Sequence, residues 1–336
     1  MNPSPASTEP ALRAPQLPPE RGPLSSALFT ALRNGPGSPL PRVETIDDPL
    51  GGDDFHLALY ACYELHYHGF DGVDLEWEWE PALLEFRREL ERRFEAALRR
   101  EYFQPGSEPV RGRIENIARG VGPPLSTYLR RKATLDQFKE FVIHRSAYQL
   151  KEADPHTFAI PRVNGKAKAA MVEIQFDEYG SGDPLRMHSA LFRNTMEALG
   201  LDGNYGAYLP RIPGTTLATV NLISLFGLHR RWRAACAGHL VVFEMTSSQP
   251  NRRYADGLRR LGFDTAATDF YDEHVVADAA HEAIALHDLA VSFAAQEPDR
   301  ADDIVFGAAA CTGLEVRFAE HLLSTWEQGR SSLRGA

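Results

Sequence analysis

Beyond its first two dozen residues the chain is a succession of segments with apolar residues at three- and four-residue spacing. Each is closed by Gly or Pro, and strand-like alternation is rare. That pattern predicts an all-α protein. "LSSALFTALRN" opens the series, and "DDFHLALYACYELHYHGF" follows. The latter has Asp53 and Asp54 at its start and Gly69 at its end, where the helix dipole and the C-cap favour them. "EPALLEFRRELERRFEAALRREYF" is amphipathic and rich in i, i+4 charge pairs. Thr134, with Gln137 three residues on, forms a capping-box start for a helix running toward Pro155 and ending with Glu152. "GKAKAAMVEIQFDEYG" is closed by Gly180, and the next helix is expected to start at Pro184 and end at Gly200. "RRWRAACAGHLVVFEMTSS" and "NRRYADGLRRLGF" read as two helices, and two long helices complete the chain.

These segments predict three regions. Residues 1–23 are rich in Pro, Ser and Glu and form a disordered leader, since they carry too little apolar surface to offset ordering entropy. Residues 24–119 form a helical N-terminal extension, and residues 120–332 one helical domain on which it packs. The formal charge of −10 argues against a nucleic-acid partner, which needs clustered Lys and Arg. No apolar run is long enough to span a bilayer. Cys62, Cys236 and Cys311 are scattered and odd in number, which suggests reduced thiols. With no secretory signal at the N-terminus, the cytoplasm is the expected location.

Within "HVVADAAH" the side chains of His274, Asp278 and His281 recur at i, i+4 and i+7, so one helix face carries three metal-type ligands in a row. Further candidates sit on apolar helix faces. Glu178 shares a face with Met171 and Ile174. His188 is flanked by Leu185, Leu191 and Phe192, and Glu244 follows Leu240 and Val241. Glu152 is the remaining carboxylate. A lone Glu or His on a helix is ordinarily solvated or hydrogen-bonded, so the set matters more than any member. Four carboxylates and three imidazoles in one interior would be prohibitive unless compensated. Two divalent ions would cancel the four negative charges, and mixed carboxylate and imidazole ligation from several helices suits two irons. The absence of Cys from the set argues against structural zinc and iron–sulfur clusters.

The segments "HRSAYQLKEADPH", "VEIQFDEYG" followed by His188, "FEMTSSQPNRRY" and "DEHVVADAAH" resemble the haem-oxygenase-like diiron oxidases and oxygenases. Within these they are most similar to the actinobacterial iron-containing redox enzyme branch. The resemblance is close over about residues 130–290 and looser from "ELHYHGFDGVDLEWEWEP". It implies a haem-oxygenase-like helical bundle whose metal ligands are Glu152, Glu178, His188, Glu244, His274, Asp278 and His281. One iron would take Glu152, His188 and His281, the other Glu244, His274 and Asp278, with Glu178 bridging and central to catalysis. Haem is not expected. The resemblance further implies two Fe2+ ions oxidised by O2, acting on a small substrate. An amino acid oxidised at an aliphatic C–H bond, as in desaturation, is the first expectation. N-oxygenation of an amino-acid amine, or a non-catalytic metal- or ligand-binding protein, is the alternative. Arg145, Arg162 and Arg186 are candidate clamps for a substrate carboxylate. Phe176, Tyr179, Phe192 and Phe243 are candidate pocket walls. His287 and Asp288 read as exposed or as supporting residues, Glu173 and Asp177 as exposed or as orienting a ligand, and His156 and His229 as helix-end cations. The electron donor and a homodimer contact through the N-terminal helices stay open.

Overall fold

The computed structural model describes residues 13–43, 46–120 and 122–335, without the side chains of residues 278–280. Its elements in chain order are α1 (Pro23–Asn34), α2 (Asp53–Glu64), α3 (Pro81–Tyr102), α4 (Val110–Ala118), α5 (Leu125–Arg131), α6 (Leu135–Gln149) and α7 (Asp154–Thr157). They continue with α8 (Gly165–Glu178), α9 (His188–Ala198), α10 (Gly214–Leu228), α11 (Arg233–Arg260), α12 (Thr265–Ala283), α13 (Ser292–Gln296) and α14 (Ala301–Glu327). Short 3-10 turns link several of these, and no strand occurs among the described residues. None of the described helices is long and apolar enough to cross a membrane.

Two hydrophobic cores hold the bundle together. The larger mixes residues of α1 to α3, such as Phe29, Leu59 and Phe94, with Ile174, Leu222, Val241 and Phe306 from later helices. The N-terminal helices therefore share a core with the rest of the chain. The smaller core gathers Phe138, Phe141, Phe192, Phe270, Phe318 and Trp326. The long helices α11 and α14 pass at backbone contact. A Cβ on Gly238 would fall 1.8 Å from the Ile304 carbonyl oxygen, and one on Gly307 would fall 2.0 Å from that of Ala235. Only glycine fits at either position. Cys62, Cys236 and Cys311 are buried and free, as the scattered spacing implied.

Several boundaries differ from the sequence expectation, each for a local reason. The capping box at Thr134 forms as expected, Gln137 N–H donating to Thr134 Oγ1 at 3.2 Å and Gln137 Oε1 accepting from Thr134 N–H at 3.0 Å. The helix it starts nevertheless ends at Gln149, so Glu152 sits in a turn. Ala153 has a left-handed φ of 77°, which a continuing helix cannot include. Helix α9 starts at His188 itself, because Pro184–Met187 form a turn packed on Gly180, where a Cβ would lie 2.5 Å from the Met187 nitrogen. The two helices expected around Pro250 are the single helix α11. Pro250 removes one N–H from the ladder, but packing against α12 and α14 outweighs that local cost. After α12 the chain passes into a π-helical stretch, Ile284–Val291.

Residues 1–12 of the expected leader lie outside the described residues. Residues 13–22 pack on the surface, with the Asp71 amide donating to the Pro15 carbonyl at 2.8 Å and Pro15 against Gly206. The Gly238 contact is directly testable. Gly238→Ala must separate α11 from α14 and is expected to destabilise the fold by about 1–3 kcal/mol or more. Denaturant unfolding measures this, and an unchanged midpoint would contradict the close approach.

Candidate metal centre

Helix α8 delivers Glu178 at its last residue, and α9 delivers His188 at its first. The tight Gly180 turn between them brings Glu178 Oε2 and His188 Nδ1 to 2.7 Å. Helix α11 contributes Glu244, and α12 contributes His274 and His281. The α6–α7 turn contributes Glu152, whose Oε1 lies 3.6 Å from His274 Nε2. All are buried except Glu152, which is nearly so.

These side chains form two groups. Glu152, Glu178, His188 and His274 each offer a ligand atom within 4.8 Å of the others, and Glu178, Glu244 and His281 do the same. Glu178 belongs to both. The side chain of Asp278 lies outside the described residues. This grouping exchanges His274 and His281 relative to the expected division of ligands. The reason is that the N-terminal half of α12 packs along α9, which puts the His274 and His188 rings 4.2 Å apart. His281 is two turns further on, roughly 10 Å along the axis, and meets Glu244 at 3.3 Å instead.

The imidazoles are oriented by partners outside the cluster. His274 Nδ1 donates to the Phe270 carbonyl at 2.8 Å, which leaves Nε2 to face Glu152. His281 Nε2 donates to Asp177 Oδ2 at 3.0 Å, which leaves Nδ1 to face Glu244. Asp177 thus holds the His281 ring, whereas Glu173 is exposed. A second hydrogen bond that fixes the tautomer is the usual environment of a ligating histidine. The Glu152 turn is held from α8, where Gln175 Nε2 donates to the Ala153 carbonyl at 2.7 Å.

Electrostatics bind the cluster further. Burial would raise the Glu178 carboxyl, but the imidazoles of His188, His274 and His281 outweigh it and hold that carboxyl down to about 2. Burial would lower His281, but Glu244, Asp177 and Glu178 push it up to about 9. Glu152 Oε2 is buried without a hydrogen-bond partner, and the buried Glu178 Oε2, His188 Nδ1 and His281 Nδ1 face other members of the cluster. Buried carboxylate oxygens and imidazole nitrogens gathered this closely are a donor set that fits divalent iron.

A cavity of about 720 Å³ opens onto the cluster and is lined by Glu152, Glu178, Glu244 and His274. Its walls include Phe141, Tyr148, Phe243, Tyr254, Tyr271 and Phe318. Of the expected wall residues only Phe243 lines it. Phe176 is 55% exposed, Phe192 packs on Phe270 in the smaller core, and Tyr179 donates to Asp154. Arg145 reaches the cavity but makes a two-pronged pair with Glu315, at 2.9 and 2.6 Å. Arg186 is engaged by Asp269 and Glu273, and Arg162 by the Gly227 carbonyl. Arg253, which the sequence did not single out, lines the cavity and donates to Ser126 Oγ and Gln249 Oε1. No acidic partner of Arg253 occurs among the described residues. His287 is exposed, and Asp288 pairs with Lys166 on the surface. His156 is not a helix-end cation. It is buried beside His239, and burial lowers it to about 4.

The helical bundle that carries this cluster has a haem-oxygenase-like fold. The fold is similar to the crystal structure of a domain of unknown function with a haem oxygenase-like fold from Shewanella denitrificans OS217. That similarity has a TM-score of 0.51 at 14% identity and covers 66% of this chain and 92% of that one. The sequence profile described as "Iron-containing redox enzyme" matches residues 139–316, more than half of the chain, and the chain belongs to that family. It is also 28% identical over 132 residues to a nitrosourea synthase of Streptomyces achromogenes subsp. streptozoticus. The match covers 39% of this chain and 28% of that protein, little more than a quarter of its length. The family match thus places the chain among iron-containing redox enzymes.

Two outcomes follow from the hydrogen bonds and charges. Asp177→Asn is expected to weaken iron binding at the His281 position by roughly tenfold or more, read by competition with a chelator. Undiminished affinity would show that Asp177 does not orient a ligand. A ligand nitrogen must shed its proton, and metal-free His281 holds one up to about pH 9. Iron loading at pH 7 is therefore expected to release a proton and to tighten as pH rises toward 9. Binding heats that do not vary with the buffer's ionisation enthalpy would oppose this.

Proposed function

We propose that the chain is a two-iron oxidase or oxygenase that uses O2 to oxidise a small molecule held in the cavity. The observation that carries this reading is the double membership of Glu178, the only described residue in both ligand groups. Glu152, His188 and His274 would hold one iron, Glu244 and His281 the other, with Glu178 between them. Asp278, placed by the family resemblance on the same helix face, is proposed to complete the set. Iron bound there would supply the activation of O2.

The chain's own groups bind and orient. Aromatic side chains wall part of the cavity beside the cluster, and the cavity is of the size that small-molecule sites occupy. Arg253 offers N–H donors to an anionic substrate group, while Arg145 and Glu315 present a cation and an anion side by side. This lining supports an amino acid or a related carboxylate as substrate, oxidised at an aliphatic C–H bond. A second reading, oxidation of an amine nitrogen, is favoured by the nitrosourea synthase relative, whose product name designates an oxidised nitrogen.

Anaerobic iron loading followed by O2 uptake with a panel of amino acids and carboxylates tests the proposal. Substrate-dependent O2 consumption is expected. A product lighter by two hydrogens marks desaturation, and one heavier by an oxygen marks oxygenation. Glu178→Ala is expected to abolish uptake, a loss of at least about a hundredfold, while retaining helicity by circular dichroism. Iron binding without any O2 consumption would instead indicate a carrier.

A further inference from the structure

Glu64 and Lys151 form a completely enclosed ion pair. Lys151 Nζ lies 2.8 Å from Glu64 Oε2, with the side chains 1% and 0% exposed. The Tyr205 hydroxyl donates to the same Glu64 oxygen at 2.8 Å. The ammonium lies 4.8 Å from the Tyr60 ring centroid and 4.2 Å from that of Tyr67. Glu64 is the last residue of α2, within residues 24–119 and outside the segment that matches the family profile. Lys151 immediately precedes Glu152.

Stability does not account for such a pair. Both charges lose their hydration, and a well-packed apolar pair in the same space is often as stable or more so. What the pair does fix is direction. Helix α6 has ended, the Glu152 amide is only 3.5 Å from the Gln149 carbonyl oxygen, and Ala153 is held in a left-handed conformation. Consecutive side chains diverge in this turn, so drawing Lys151 into the tyrosine cage directs Glu152 toward His274. Gln175 secures the far side of the same turn through the Ala153 carbonyl. The other candidate ligands stand on helices and need no such tether.

We propose that Glu64 and Lys151 are positioning residues for Glu152, so that the N-terminal helix α2 is a working part of the metal centre. This rests on the reading of the centre given above, and it assigns the pair to one ligand group only. The test uses the full chain with Glu64→Gln and Lys151→Met combined, which removes both charges together and leaves no unpaired buried ion. Ferrous iron is titrated anaerobically and followed by near-infrared magnetic circular dichroism, with far-ultraviolet dichroism and thermal unfolding in parallel. Glu152→Ala serves as the reference.

The double variant is expected to keep the parent's helicity and to lose the same ligand-field bands as Glu152→Ala. Its affinity for that iron should fall by roughly tenfold or more, while the bands of the Glu244 and His281 position stay unchanged. Parent-like iron binding at both positions, with Glu152→Ala impaired, overturns the positioning role and leaves the centre intact. Loss of both positions or of helicity would make the pair a general clamp, and the positioning role falls. If Glu152→Ala itself binds iron like the parent, the reading of the centre fails and this inference with it.

Discussion

The structure depends on bringing Glu152, Glu178 and Glu244 together inside a helical bundle. Each carboxylate disfavours its neighbours' ionisation, and each loses hydration on burial. Without compensation such an interior would protonate or open. The chain supplies a first layer of compensation with His188, His274 and His281, which hold Glu178 ionised although it is buried. Iron would supply the remainder, each divalent ion offsetting two negative charges. Charge balance therefore explains why acids and imidazoles occur together in the cluster.

The helices and the candidate ligands were readable in the sequence for different reasons. Helices were readable because apolar periodicity and capping residues act locally, as at Thr134 and Gly200, whose left-handed φ of 70° follows α9. The residues that the fold gathers into the cluster stand out in the sequence because a Glu or His on an apolar face is conspicuous. Where the local rules failed, a distant contact had overridden them. The local pattern puts Glu152 at the end of a helix, because the nearest break it offers is Pro155, three residues on. The turn is contacted from far away, through Lys151 by Glu64, eighty-seven positions earlier in sequence, and through Ala153 by Gln175. Pro250 looked like a boundary, but packing along α11 outweighs one missing N–H. The wall residues Tyr148, Tyr254 and Tyr271 could not be told from core aromatics, because pattern shows which face is apolar and not which apolar face borders a cavity. Pairing between His and Glu across helices depends on how α9 lies against α12, which no local spacing encodes.

The candidate ligands stand on different kinds of backbone. Glu244 and His281 stand on long helices that cross at close packing, and His281 is fixed at both ring nitrogens. Glu152 stands on a turn whose geometry is enforced from α2 and α8. Elements held by few local hydrogen bonds open more readily than helix interiors. Of the described candidate ligands, Glu152 is thus the one whose placement depends on contacts from distant elements.

The π-helical stretch after α12 follows from the same demand on packing. His274 and His281 must face the cluster, and beyond them Leu286, Leu289 and Ala290 must turn into the core. An uninterrupted α-helix advances about 100° per residue, so the face that serves two ligands fixes the face available to the next turns. A wider π turn takes up extra residues per turn and resets that phase. The next residues then pack against α8 and α11, the two helices that carry Glu178 and Glu244. The irregular segment lets one helix present ligands on one stretch and core side chains on the next, so the loss of regular α-helical bonding lies beside the site rather than within it.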